Sequence, residues 1–193
     1  MITATDINYT EEPYENLTVT DIHTLSTDSI LIWCSGSGAG EGRSYGTYYI
    51  LLDDGKGHCK YMEGNVPGAS PNQAMLDGAV EAVGMIKKPS NVRLISSCPL
   101  GFKAGFRGKG PNADRVQRLL EKIKERGHTL SFSLTDADVI KGWISENSGK
   151  KFEDKTEKYK RVIYAECIEK VIEILEEYGV DENVITQVKR IEP

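Results

Sequence analysis

Apolar positions fall into short runs and two distinct periods along the chain. Ser29-Ile-Leu-Ile-Trp-Cys34 is an apolar run of strand length, and Tyr45-Gly-Thr-Tyr-Tyr-Ile-Leu-Leu52 is a second. Between them lies the glycine-rich stretch Ser35–Gly42, read as a permissive turn. Asp53-Asp54-Gly55-Lys56-Gly57 has the residue types of a hairpin turn and leads into a third strand, His58 to Glu63. The period then changes to helical. Ser70 and Pro71 open a helix as cap and first residue, Ala74, Met75, Ala79, Val83 and Ile86 mark its apolar side, and Pro89 ends it. Asn91–Ser97 is a fourth strand. Asn112 to Arg126 is an amphipathic helix with Val116, Leu119, Leu120 and Ile123 on one side, closed by Gly127. Thr129-Leu-Ser-Phe-Ser-Leu-Thr135 alternates as a half-buried fifth strand.

The remainder reads as helix. Asp136 or Asp138 caps a short helix through Trp143 and Ile144, and a long one runs from about Asp154 to Tyr178. A last segment, Asp181 to Ile191, aligns Val184, Ile185, Val188 and Ile191. A further strand near Leu17-Thr-Val-Thr is a weaker signal in the acidic start of the chain. Three hairpin-joined strands followed by alternating helices and strands predict an α/β fold with a mixed sheet. Right-handed crossovers place strands four and five beside strand one, giving the order 3-2-1-4-5 with helices on both faces. The expected organisation is an acidic N-terminal extension over 1–29, one domain over 30–178 and a C-terminal helical tail over 179–193.

Charge sharpens this picture. The chain has 193 residues and a net charge of −5, which argues against binding through bulk positive charge. Residues 1–30 contain six acids and no Lys or Arg, whereas 103–126 contain eight basic residues against three acids. Within the second stretch, Asp114 to Arg126 reads as a solvated helix of mixed charge. The glycine-rich segment before it, Gly101 to Pro111, carries Lys103, Arg107 and Lys109 with Phe102 and Phe106. Cations and aromatics on flexible backbone suit phosphate contact and base stacking, and Arg115 extends the patch.

Cys34, Cys59, Cys98 and Cys167 form no C-x-x-C pair, and three separate histidines offer no zinc site, so free thiols in a reducing, intracellular setting are expected. No basic-then-apolar leader opens the chain, and no apolar run approaches the ~20 residues of a membrane helix. Ser35-Gly-Ser-Gly-Ala-Gly-Glu-Gly42 leads into a strand rather than a helix, and no G-K-[ST] follows, so neither a dinucleotide fingerprint nor a Walker loop is present. No cofactor is expected.

The order β-β-β-α-β-α-β with a final helix resembles the ribonuclease H family over Ile30 to about Tyr178. Three local patterns carry the resemblance. Cys34-Ser35-Gly36-Ser37 stands where that family has T-D-G-S, Asn72-Gln73-Ala74-Met75-Leu76 where it has N-x-x-E-L, and Ser96-Ser97-Cys98 where it has T-D-S. On this resemblance Ser35, Met75 and Ser97 replace the carboxylates that hold two divalent metals in active members. Neutral hydroxyls and a soft thioether are poor ligands for Mg²⁺, so no metal is expected and a two-metal nuclease of the usual design is excluded. The resemblance implies an inactive, nucleic-acid-associated accessory or assembly module that contacts RNA, DNA or an RNA–DNA hybrid. Two alternatives stand beside it. One is a protein-interaction module that uses the C-terminal helices, without nucleic acid. The other is a nuclease rebuilt from acids such as Glu41, Asp136, Asp154, Glu157 or Glu166.

Overall fold

The computed structural model describes residues 15–17, 28–40, 42–152, 168–173, 175–176 and 185. Six strands form one sheet: β1 (Glu15–Leu17), β2 (Ser29–Ser37), β3 (Tyr45–Asp53), β4 (Cys59–Pro67), β5 (Asn91–Ser96) and β6 (Thr129–Thr135). Their order is β1-β6-β5-β2-β3-β4. The five strands foreseen from the sequence, β2 to β6, hold the expected 3-2-1-4-5 order of a ribonuclease H-like α/β fold. A sixth is added at the edge, where β1 pairs in parallel with β6 from Glu15↔Ser133 to Leu17↔Thr135. β2 runs parallel to β5 and antiparallel to β3, so the sheet is mixed.

Four helices belong to the same part of the chain: α1 (Pro71–Met85), α2 (Phe102–Gly105), α3 (Ala113–Glu125) and α4 (Ala137–Ser148). α1 starts where its signals say. Ser70 caps the Gln73 amide, the Gln73 side chain returns to the Ser70 amide, and Pro71 occupies the first helical position. Strand alternation then sorts the sheet residues between two layers. Ile32, Cys34, Ile50, Leu52, Val92, Leu94 and Phe132 join α1 and α3 in one buried core. Trp33 lies on the opposite face against Trp143 of α4, with ring centroids 5.6 Å apart. Helices therefore cover both faces.

Met1–Lys150 forms one compact unit and Lys151–Pro193 a second. In the second, residues 168–173 and 175–176 are helical, as the sequence predicts for that stretch. The start of that helix, the expected boundary near Tyr178 and the tail face around Val184 and Val188 lie outside the described residues. No helix among the described residues is long and apolar enough to cross a membrane.

Two strands outrun their sequence signals. β2 continues through Ser35 to Ser37, and β4 through Gly64 to Pro67. Both extensions pair with β3, Ser37 with Thr47 and Pro67 with Tyr45, so main-chain pairing overrides weak strand propensity.

Candidate functional site

The parallel strands β2 and β5 end side by side. Their register reaches Trp33↔Ile95, so its continuation sets Cys34 beside Ser96 and Ser35 beside Ser97. Ser35 within β2 and Ser97 just past the end of β5 are thus neighbours, but Ser35 is not on the face of Met75. Cys34 belongs to the α1 side of the sheet, and Gly36, two residues on, shares that side. The Met75 Cγ lies 2.8 Å from where a Gly36 Cβ would stand, so the helix side chain rests on bare backbone. Ser35 pairs with Tyr49, whose ring carries the Lys150 Nζ at 4.8 Å, on the α4 side. Ser97 is exposed in the bend after β5. The groups that face α1 here are Cys34, Ser96 and Cys98.

Their hydrogen bonds form a small neutral network. Ser96 Oγ accepts from the Cys98 amide at 3.3 Å and donates to the Cys98 carbonyl at 3.0 Å. The Cys98 thiol donates to Asn72 Oδ1 at 3.2 Å, joining β5 to the first turn of α1. Cys34 is fully buried, and that burial, reinforced by nearby Cys98, pushes its thiol well above the ordinary range.

No carboxylate enters this corner from the described residues. Asp77 of α1 turns toward α3 and accepts from Arg115 and Arg118. Asp53 accepts from the Gly55 amide at 2.8 Å and from Trp143 Nε1 at 3.4 Å, in the β3–β4 hairpin at the opposite end of the sheet. Asp54, beside it, binds the Lys56 and His58 amides and the His58 ring. Asp136 is exposed at the start of α4. Glu41, Asp154, Glu157 and Glu166 lie outside the described residues. Among the described residues no group of three or more His, Cys, Asp and Glu side chains is placed to hold a metal ion. A pair of divalent metals is held by clustered carboxylates, and the described side chains at this corner supply hydroxyl, amide and sulfur groups but no carboxylate.

The basic segment after β5 departs from its expected form. It is not an open loop with two aromatic platforms. Leu100 and Gly101 take the left-handed φ values 51° and 82°, Asn112 Nδ2 donates to the Leu100 carbonyl at 3.1 Å, and the chain then closes into α2. This folds Phe102 inward, where it is completely buried with its ring 5.0 Å from that of Phe132. Phe106 is half-buried against the same core, 6.0 Å from Phe102. Gly105 meets Val116 so closely that an added Cβ would lie 2.6 Å from it, which fixes α2 on α3.

The cations separate into two groups. Lys103, Arg107 and Lys109 are exposed, and none forms an ion pair among the described residues. Arg115, also a sequence candidate, is turned inward: its Nε donates to Asp77 Oδ2 at 3.0 Å, with only 26% of its side chain exposed. Burial of Phe102 and capture of Arg115 were both invisible in composition. The i, i+3 pairing of Arg115 and Arg118 on one helix face was the available hint that they share a partner.

Comparison with known proteins gives likenesses to solved structures. No family model matches the chain, and no curated protein matches it. The N-terminal ribonuclease H domain of a Mycobacterium tuberculosis protein, solved as a fusion with maltose-binding protein, is 10% identical. The match covers 58% of this chain and 91% of that one, with a TM-score of 0.47. Ribonuclease H1 from the halophilic archaeon Halobacterium salinarum is 14% identical over 58% of this chain and 89% of that one, with a TM-score of 0.41.

Proposed function

We propose that this chain is a ribonuclease H-like module that binds nucleic acid without cutting it, as an accessory or assembly component. The observation that carries the reading is a contrast at one end of the sheet. Where β2 and β5 finish, the inward-facing groups are Cys34, Met75, Ser96 and Cys98, all neutral, whereas the segment leaving β5 presents Lys103, Arg107 and Lys109 free of partners among the described residues. Hydrolysis of a phosphodiester by the two-metal route needs carboxylates in the first position. Contact with the phosphates of RNA, DNA or a hybrid needs only the second, and such contacts position the module without reading sequence.

The test is a pair of measurements on the full chain. Filter binding to an RNA–DNA hybrid at two salt concentrations should show affinity falling with salt, and the hybrid should remain intact with Mg²⁺ or Mn²⁺. Absence of binding at low salt defeats the nucleic-acid reading. Metal-dependent cleavage that vanishes on Glu41→Ala or Asp136→Ala establishes a relocated nuclease site in its place.

A further inference from the structure

The corner where the described side chains supply no carboxylate is rich in soft sulfur donors. Cys34 and Met75 belong to one buried cluster, and Cys98 packs against it. A chain of neighbours places the three sulfur-bearing residues in this one corner of the core. Cys34 stands beside Ser96 by the β2–β5 register, and Ser96 Oγ lies 3.8 Å from the Cys98 sulfur. That sulfur is 3.2 Å from Asn72 Oδ1, and Asn72 and Met75 are three residues apart on one side of α1. Met75 in turn rests on Gly36, the next residue after Cys34 on that face of β2.

We propose that this corner binds one soft monovalent metal ion, copper(I) or silver(I), through the thiolates of Cys34 and Cys98 and the thioether of Met75. Thiolates and thioethers select such ions, and copper(I) needs few ligands and no fixed octahedron of oxygens. Binding requires no electron transfer. Each thiol releases its proton to solvent and gives a sulfur lone pair to the ion, and the Met75 sulfur gives a third, leaving the site with one net negative charge. Cys98 is the entry point, since it is half-buried while Cys34 is not exposed at all. Asn72, in the first turn of α1, accepts the Cys98 S–H at 3.2 Å, so this thiol lies against the start of the helix that carries Met75. Metal binding also offsets the resistance of buried Cys34 to ionisation, because the ion replaces its proton.

The site is independent of nucleic-acid binding, and its test uses none. The full chain carrying Cys59→Ser and Cys167→Ser, reduced and kept anaerobic, is titrated with copper(I) supplied as its acetonitrile complex against a competing chelator, and separately with silver(I). One equivalent should be retained per chain, with a near-ultraviolet thiolate-to-copper band. Cys98→Ser in that background should weaken retention at least about tenfold, as should Cys34→Ser. Met75→Leu, close in volume, should weaken it less while the fold is kept. If Cys34→Ser does not fold, the half-buried Cys98 position and Met75→Leu decide. Equal retention in the Cys98→Ser protein, or none in the parent, overturns the proposal.

Discussion

Arg115 donates its Nε–H to Asp77 Oδ2 across 3.0 Å, tying α3 to the middle of α1, and Arg118 adds a longer contact of 3.3 Å to the other oxygen. The Asp77 side chain is only 15% exposed, so these bonds are shielded from much of the water that weakens surface pairs. Asp77→Ala should cost about 1–2 kcal/mol, read as a lowered urea midpoint with unchanged slope. Arg115→Ala should cost most of that, whereas Arg118→Ala, at a more exposed side chain, should cost a few tenths of a kcal/mol.

The same distinction governs binding. Replacing Lys103, Arg107 and Lys109 together with Ala should weaken binding to any duplex alike and make the salt dependence shallower by roughly 0.9 for each phosphate that the protein no longer neutralises. Arg115→Ala should leave that slope unchanged. Phe102→Ala should lower stability by about 3–5 kcal/mol, because its ring is in the core and not available for stacking on a base.

Two glycines make opposite predictions. At Gly78, in α1, an added Cβ would lie 2.6 Å from the Tyr48 ring, which is anchored there by a hydrogen bond from its hydroxyl to Glu81. Gly78→Ala should therefore destabilise by about 1–3 kcal/mol. Gly142, inside α4, has open space around it, and Gly142→Ala should stabilise by about 0.5–1 kcal/mol. Thermal or urea unfolding of the two variants checks the signs.

His128 carries a pH dependence. It is buried, its Nδ1 accepts from the Ser90 amide at 3.1 Å, and burial first, then the Arg126 charge, holds its pKa below the ordinary 6.5. The folded state thus resists a proton that the unfolded chain accepts. The contribution of this residue to stability should be whole above about pH 6.5 and shrink as pH falls below it. Urea midpoints at about pH 7.5 and about pH 5.5 should differ less in His128→Gln than in the parent chain.

Strand order was legible in the sequence because apolar runs of strand length, two hairpins and two helical crossovers leave few ways to connect a sheet. The facing of β2 was harder to read. Ile30 to Cys34 is apolar throughout, since both faces of that strand are covered, and an unbroken run gives no alternation from which to choose a side. Pattern matching then set Ser35 opposite Met75, one residue away from Cys34 and Gly36, and in a strand one residue is a change of face. Phe102 misled for a related reason. Its neighbours Gly101 and Gly105 have the composition of a loose loop, but one glycine serves a left-handed turn and the other a tight helix contact.

Pairing of Glu15 with Ser133 gives the sheet an unusual order of completion. Its outermost strand comes from near the start of the chain but must wait for β6, made far later, before it has a neighbour. During synthesis the hairpins of β2, β3 and β4 have their partners in hand while β1 has none. The edge of β6 stays open until that last, long-range closure occurs.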